Sequence, residues 1–111
     1  MNTTTLIGRL ANDPEIRFTT GGTSVANFRL AVPNPADDDH PNWVPVKCLG
    51  KTADAVGEYL TKGNQVAIVG RLESSEWETD GQRHFKLEVL ARNVQFLNTR
   101  NKTEQREEAT A

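Results

Sequence analysis

Between Ser24 and Val32 the chain alternates: Ala26, Phe28, Leu30 and Val32 are interleaved with Asn27, Arg29 and Ala31. A period of two is the spacing of a β-strand, whose successive side chains leave opposite faces. One face here is apolar and the other mixed, as in an antiparallel strand with one side in a core and one in water. The same alternation returns in Trp43–Leu49, where Val44, Val46 and Cys48 form the core-side set and Trp43, Pro45, Lys47 and Leu49 point the other way. It returns again where Phe85, Leu87 and Val89 alternate with Lys86 and Glu88. A chain patterned this way folds around strands, and the interruptions between them set the topology.

Thr3–Leu10 is a strand ended by Asn12-Asp13-Pro14, and Ile16–Thr20 is a short run closed by the hairpin signal Gly21-Gly22. Pro33–Asn42 carries three prolines and the acidic cluster Asp37, Asp38 and Asp39, so it reads as an exposed loop. Ala53, Val56, Tyr59 and Leu60 fall at helical spacing, with Gly63 placed as a C-cap glycine, which predicts one helix of about three turns. Gln65–Leu72 is a further strand, Glu73–Phe85 reads as a long hairpin turning at Asp80-Gly81, and a last apolar stretch runs to Leu97. This order gives an all-β chain of about five main strands with one helix between the third and fourth. That is the OB-fold, a five-stranded Greek-key barrel. An SH3-like barrel is the competing topology and does not usually carry a three-turn helix at that point.

A length of 111 residues fits one domain, expected over 1–98. Residues 99–111 contain no apolar side chain larger than alanine and are expected to be a disordered tail. The net charge of −2 does not mark a nucleic-acid binder, although a local basic groove can hold an oligonucleotide on a slightly acidic protein. Cys48 is the only cysteine, so no intrachain disulfide forms, and a reducing cytoplasm is the simplest setting. No targeting segment opens the chain and no run approaches the roughly 20 apolar residues of a membrane span, so a cytosolic protein with no membrane partner is expected.

The side chains that need explaining lie on the outward parity of Trp43–Leu49. A tryptophan, a lysine and a leucine on a wet strand face suit a platform for stacked bases with charge for phosphates. The alternative, that a loop or a neighbouring subunit covers Trp43, stays open. Trp77, among Ser75, Glu76, Glu78 and Thr79, has small or charged neighbours and is expected either to meet a ligand or to be partly buried under its own hairpin. Lys51, Lys62 and Arg71 flank these positions, and Arg17 and Arg29 lie on adjacent strands; each can meet a phosphate or remain a solvated charge. Cys48, at core parity, reads as inert packing. His40 and His84 fall in no catalytic spacing, and Asp37-Asp38-Asp39-His40 reads as solvated loop carboxylates in preference to a metal site. No catalytic residue, cofactor or metal is expected.

Over about residues 4–97 the chain resembles the bacterial single-stranded DNA-binding proteins. The matching segments are LIGRLANDPEIRFT, GGTSVANFRLAV, NWVPVKCLGKTADAVGEYLTKG, QVAIVGRL and WETDGQRHFKLEV through ARNVQFL. Their order and spacing carry the resemblance. It implies an OB-fold that assembles as a homotetramer and is wrapped by single-stranded DNA in replication, recombination and repair, in the nucleoid-bearing cytoplasm. It also implies stacking positions at Trp43 and Trp77 and basic positions at Arg17, Lys51 and Lys62.

The chain departs from the family pattern in several places. A third stacking position falls on Leu49, which can pack on a base but cannot stack. A loop aromatic before Trp43 has no counterpart, and Asp37, Asp38 and Asp39 stand there instead. Glu73 and Glu76 occupy hairpin positions that are often basic. Together these imply weaker or more specialised binding. The sequence given ends Glu107-Glu108-Ala109-Thr110-Ala111 without the acidic Pro-Phe tip, so the resemblance does not extend to tail-mediated recruitment of repair enzymes. The alternative reading is an OB-fold protein-interaction module of a primosome-like assembly, docking through the acidic loop, with DNA binding secondary.

Overall fold

In a computed structural model, which describes residues 1–97, the chain forms six strands and one helix. In order they are β1 (Thr4–Leu10), β2 (Glu15–Phe18), β3 (Ser24–Val32), β4 (Asn42–Leu49), α1 (Gly50–Tyr59), β5 (Gln65–Thr79) and β6 (Gln82–Leu97). Pairing runs β1–β5–β6–β4–β3 and returns from β3 to β1, a ring in which only the β4–β6 ladder is parallel. The four-residue β2 lies outside the ring on the free edge of β3. Without it five main strands remain, and α1 falls between the third and fourth of these, as the OB-fold expectation has it. The expected tail, 99–111, lies outside the described residues.

On β3 and β4 the inward sets are those the alternation assigns. On β6 the alternation fails: Phe85 and Leu87 are exposed along the outer ribbon, Glu88 is buried, and only Val89 of that apolar set reaches the core. Ala26, Phe28 and Leu30 of β3, Val46 and Cys48 of β4, and Val66 and Ile68 of β5 are all buried. Each large apolar side chain buried in this way contributes about 1.5–3 kcal/mol. Helix α1 adds Ala53 and Val56, followed by Leu60, to the same core. Ser24, at the start of β3, donates its hydroxyl to the Asp54 carboxylate of α1 and fixes the helix to the sheet. The ring closes tightly where β1 crosses β3: a Cβ on Gly8 would stand 2.4 Å from the Ala31 carbonyl oxygen, so only glycine permits that approach.

Two local expectations change. Gly63 is not the helix C-cap, because α1 ends at Tyr59 and Leu60 caps it in an extended conformation, its N–H donating to the Val56 carbonyl. Gly63 instead belongs to the Thr61–Asn64 turn, where its N–H reaches the Leu10 carbonyl at 2.8 Å and ties the turn to β1. The separate strand and hairpin expected over Gln65–Phe85 are one continuous ribbon. β5 and β6 stay paired from Gln65↔Leu97 out to Thr79↔Gln82, well beyond the barrel. Asp80 (φ 53°) and Gly81 (φ 79°) turn it, both in the left-handed region that a two-residue hairpin turn of type I′ demands.

Candidate nucleic-acid interface

The antiparallel registers of β2, β3 and β4 lay the outward side chains out in rows. Trp43 lies opposite Ala31, Pro45 opposite Arg29, Lys47 opposite Asn27, and Leu49 opposite Val25. The next strand extends two of these rows, to Glu15 beside Asn27 and to Arg17 beside Val25. Trp43, Arg29, Lys47, Leu49 and Arg17 therefore share one outer face. The inward neighbours Val46 and Cys48 anchor it from below.

Trp43 is 51% exposed, left uncovered by any loop among the described residues. The Arg29 guanidinium carbon sits 5.2 Å from the centroid of the indole, a cation–π contact. The Arg29 backbone is itself fixed, its N–H donating to Asn12 Oδ1 at 2.9 Å and its carbonyl accepting from Ala11. The indole is thus oriented while much of its surface stays open. Trp77 is 47% exposed and lies directly opposite His84 in the β5–β6 ribbon. The two rings stack with centroids 5.4 Å apart and planes 20° from parallel. This imidazole gives Trp77 part of the cover that the sequence offered as one alternative.

The cations divide into engaged and free. Lys47 Nζ lies 3.0 Å from Glu73 Oε1 and 3.4 Å from Glu88 Oε1. Glu88 also meets Lys86, and Glu73 meets Arg71 at 3.6 Å, so an alternating chain of charge spans β4, β5 and β6. The hydrogen bond from Lys47, followed by its charge, holds the Glu73 carboxyl below its ordinary value. The hydrogen bond to Glu73 raises Lys47, with the Glu88 charge adding and desolvation opposing. Arg17 is paired with Glu15 at 2.5 Å. Lys51, in the first turn of α1, is exposed and has no carboxylate within ion-pair distance among the described residues. Lys62 stands apart in the turn after α1, on no strand of this face, with its backbone N–H bound to Asp13.

Three residues of this region escape sequence reasoning as site members. His84 as the partner of Trp77 follows only from the register counted outward from Asp80-Gly81. Glu88 is buried at the foot of the ribbon, although its alternation with Val89 suggests an exposed residue. Arg92 is left without an opposite residue, because the ladder passes from Val69↔Asn93 to Gly70↔Ala91. Elsewhere, Cys48 is buried and desolvation pushes its thiol up to about 12, which makes it inert at neutral pH. Asp37 engages His40 at 2.7 Å, and no group of metal-ligating side chains occurs among the described residues.

A ring of five main strands with a single helix between the third and fourth, and an aromatic and cationic face on its central strands, defines an OB-fold protein. The Single-strand binding protein family pattern matches residues 1–97, and the chain belongs to that family. It is 42% identical to the single-stranded DNA-binding protein of Clostridium tetani, over 92% of this chain and 74% of that protein. It is 41% identical to single-stranded DNA-binding protein 2 of Staphylococcus aureus, over 91% of this chain and 75% of the relative. With the Clostridium perfringens single-stranded DNA-binding protein it shares 38% identity, over 91% and 69% respectively.

Proposed function

We propose that this protein binds single-stranded DNA with little sequence preference, as an equilibrium coat that makes and breaks no covalent bond. The observation that carries this reading is the pair of half-exposed indoles, Trp43 and Trp77, each held on one side by a flat partner and open to solvent elsewhere. Every base has a π-face, so such platforms accept bases regardless of identity, each stack being worth about 1–3 kcal/mol. A duplex keeps its bases stacked inside and offers none of that energy. Leu49 packs beside the platform. Arg17, Arg29, Lys51, Lys62 and Arg71 supply charge to phosphates, while Lys47, already held by two carboxylates, contributes less.

Family membership and the names of the relatives support the same ligand. In this reading the protein protects exposed strands during replication, recombination and repair in the bacterial cytoplasm, at the nucleoid, with no cofactor. It works as a homotetramer. Ile7, 51% exposed on the outward side of β1 and opposite Ala67 of β5, supports a subunit contact there. The test is competition: labelled oligo-dT bound to the protein should be displaced by unlabelled single strand and not by matched duplex. Equal displacement by duplex sinks the reading. Light scattering decides the assembly, with a mass other than four chains ending the tetramer.

A further inference from the structure

Between the end of β4 and the β5–β6 ribbon lies a cavity of about 500 Å³, bordered by Leu49, Thr52, Arg71 and Arg92. It adjoins a second groove of about 320 Å³, with which it shares Thr52 and Arg92 and to which Lys51 contributes. Among the described residues, no acidic side chain lines either one. The groove beside Arg29 and Pro45, in contrast, includes both Glu15 and Glu88. In a protein of net charge −2 whose hairpin carries Glu73, Glu76 and Glu78, a trough whose charged lining among the described residues is all cationic stands out.

Arg92 owes its place to the bulge. As the extra residue of β6, it is released from the alternation that governs its neighbours, and bulges redirect side chains in this way. It is exposed and has no carboxylate within ion-pair distance among the described residues, whereas Arg71 is partly engaged by Glu73. We propose that the trough beside Leu49 carries the DNA backbone away from the base-stacking face, with Arg92 as a phosphate-binding residue and Arg71 and Lys51 beside it. This rests on the single-stranded DNA reading and extends it by naming where the strand leaves the face. The recognition is of phosphate charge on a flexible strand, with Leu49 as an apolar floor for a base or sugar.

The test is oligo-dT binding by wild type, Arg92→Gln and Arg92→Glu at several salt concentrations, with thermal melting of each. Arg92→Gln should weaken binding at low salt several-fold and flatten the plot of log affinity against log salt by about 0.7, the loss of one phosphate contact on a single strand. Arg92→Glu should weaken it further, and both should quench tryptophan fluorescence to the wild-type extent at saturation. Folded variants with wild-type affinity and slope would overturn the trough while leaving the DNA reading intact. Lower affinity with an unchanged slope would also overturn it, as would equally tight binding of polyglutamate. If the wild type itself fails to bind oligo-dT, the DNA reading falls first.

Discussion

Trp77 and His84 face each other across the β5–β6 ribbon with ring centroids 5.4 Å apart, so the exposed indole is backed by an imidazole and not by the core. Aromatic pairs of this kind are worth about 0.5–1.5 kcal/mol. His84→Ala is therefore expected to loosen oligo-dT binding by roughly two- to tenfold while leaving the melting temperature of the barrel nearly unchanged. A titration paired with a melt checks both. Binding unaffected by the substitution would mean that the stack does not prepare Trp77 for a base.

Trp43→Ala and Trp77→Ala should each cost about 1–3 kcal/mol of binding, or roughly 5- to 140-fold. Neither indole fills the core, so the folded population should persist, as circular dichroism can show. Arg29→Ala is expected to act more weakly in the same direction, because it frees the Trp43 ring to reorient.

Glu73 occupies two cations, Lys47 and Arg71, that a phosphate would otherwise meet. Glu73→Gln should therefore tighten oligo-dT binding at low salt and steepen its salt dependence. Stability should fall by no more than about 1 kcal/mol, since the pair is partly exposed. The lowered Glu73 gives stability that is complete above its ordinary value of 4.5 and is lost as pH falls through the depressed value. The raised Lys47 gives stability that is complete below 10.5 and is lost as pH rises through the raised value. Denaturant melts across pH should accordingly show this contribution flat between those limits in the wild type. In Glu73→Gln the acid-side loss should be absent and the alkaline-side loss reduced to the part that Glu88 still holds on Lys47.

Asp37, Asp38 and Asp39 place negative charge in the loop entering β4, immediately before Trp43. Replacing all three by Ser should raise DNA affinity or leave it unchanged, with any gain largest at low salt. A variant that keeps full DNA binding and loses a protein partner would instead favour the docking-module reading.

Gly8→Ala should destabilise the barrel by about 1–3 kcal/mol, because the new methyl meets the Ala31 carbonyl at the β1–β3 seam. A chemical melt measures it, and an unchanged midpoint would mean that the seam opens without cost.

What could be read in advance follows from range along the chain. The alternation in Ser24–Val32 and Trp43–Leu49 is local, and it assigns the outward positions of Trp43, Lys47 and Leu49 without tertiary information. The hairpin turn was legible because Asp80-Gly81 states its geometry in two residues. Gly63 misled because a glycine soon after a helix suits a turn as well as a cap. The partners of Lys47 were out of reach, since Glu73 and Glu88 come beside it only when β4 pairs in parallel with the far ribbon. Arg92 stayed hidden for a related reason: a bulge is a property of two paired strands, and neither sequence declares it alone.

If bases stack on Trp43 and Trp77, the intrinsic fluorescence of the two indoles must respond to single-stranded DNA. Titration with oligo-dT at low and moderate salt should quench the emission, more weakly at the higher salt, and matched duplex should leave it unchanged. The single variants Trp43→Phe and Trp77→Phe should each retain part of the quench. No quenching by the single strand at either salt would contradict the account and return both indoles to packing or protein contacts.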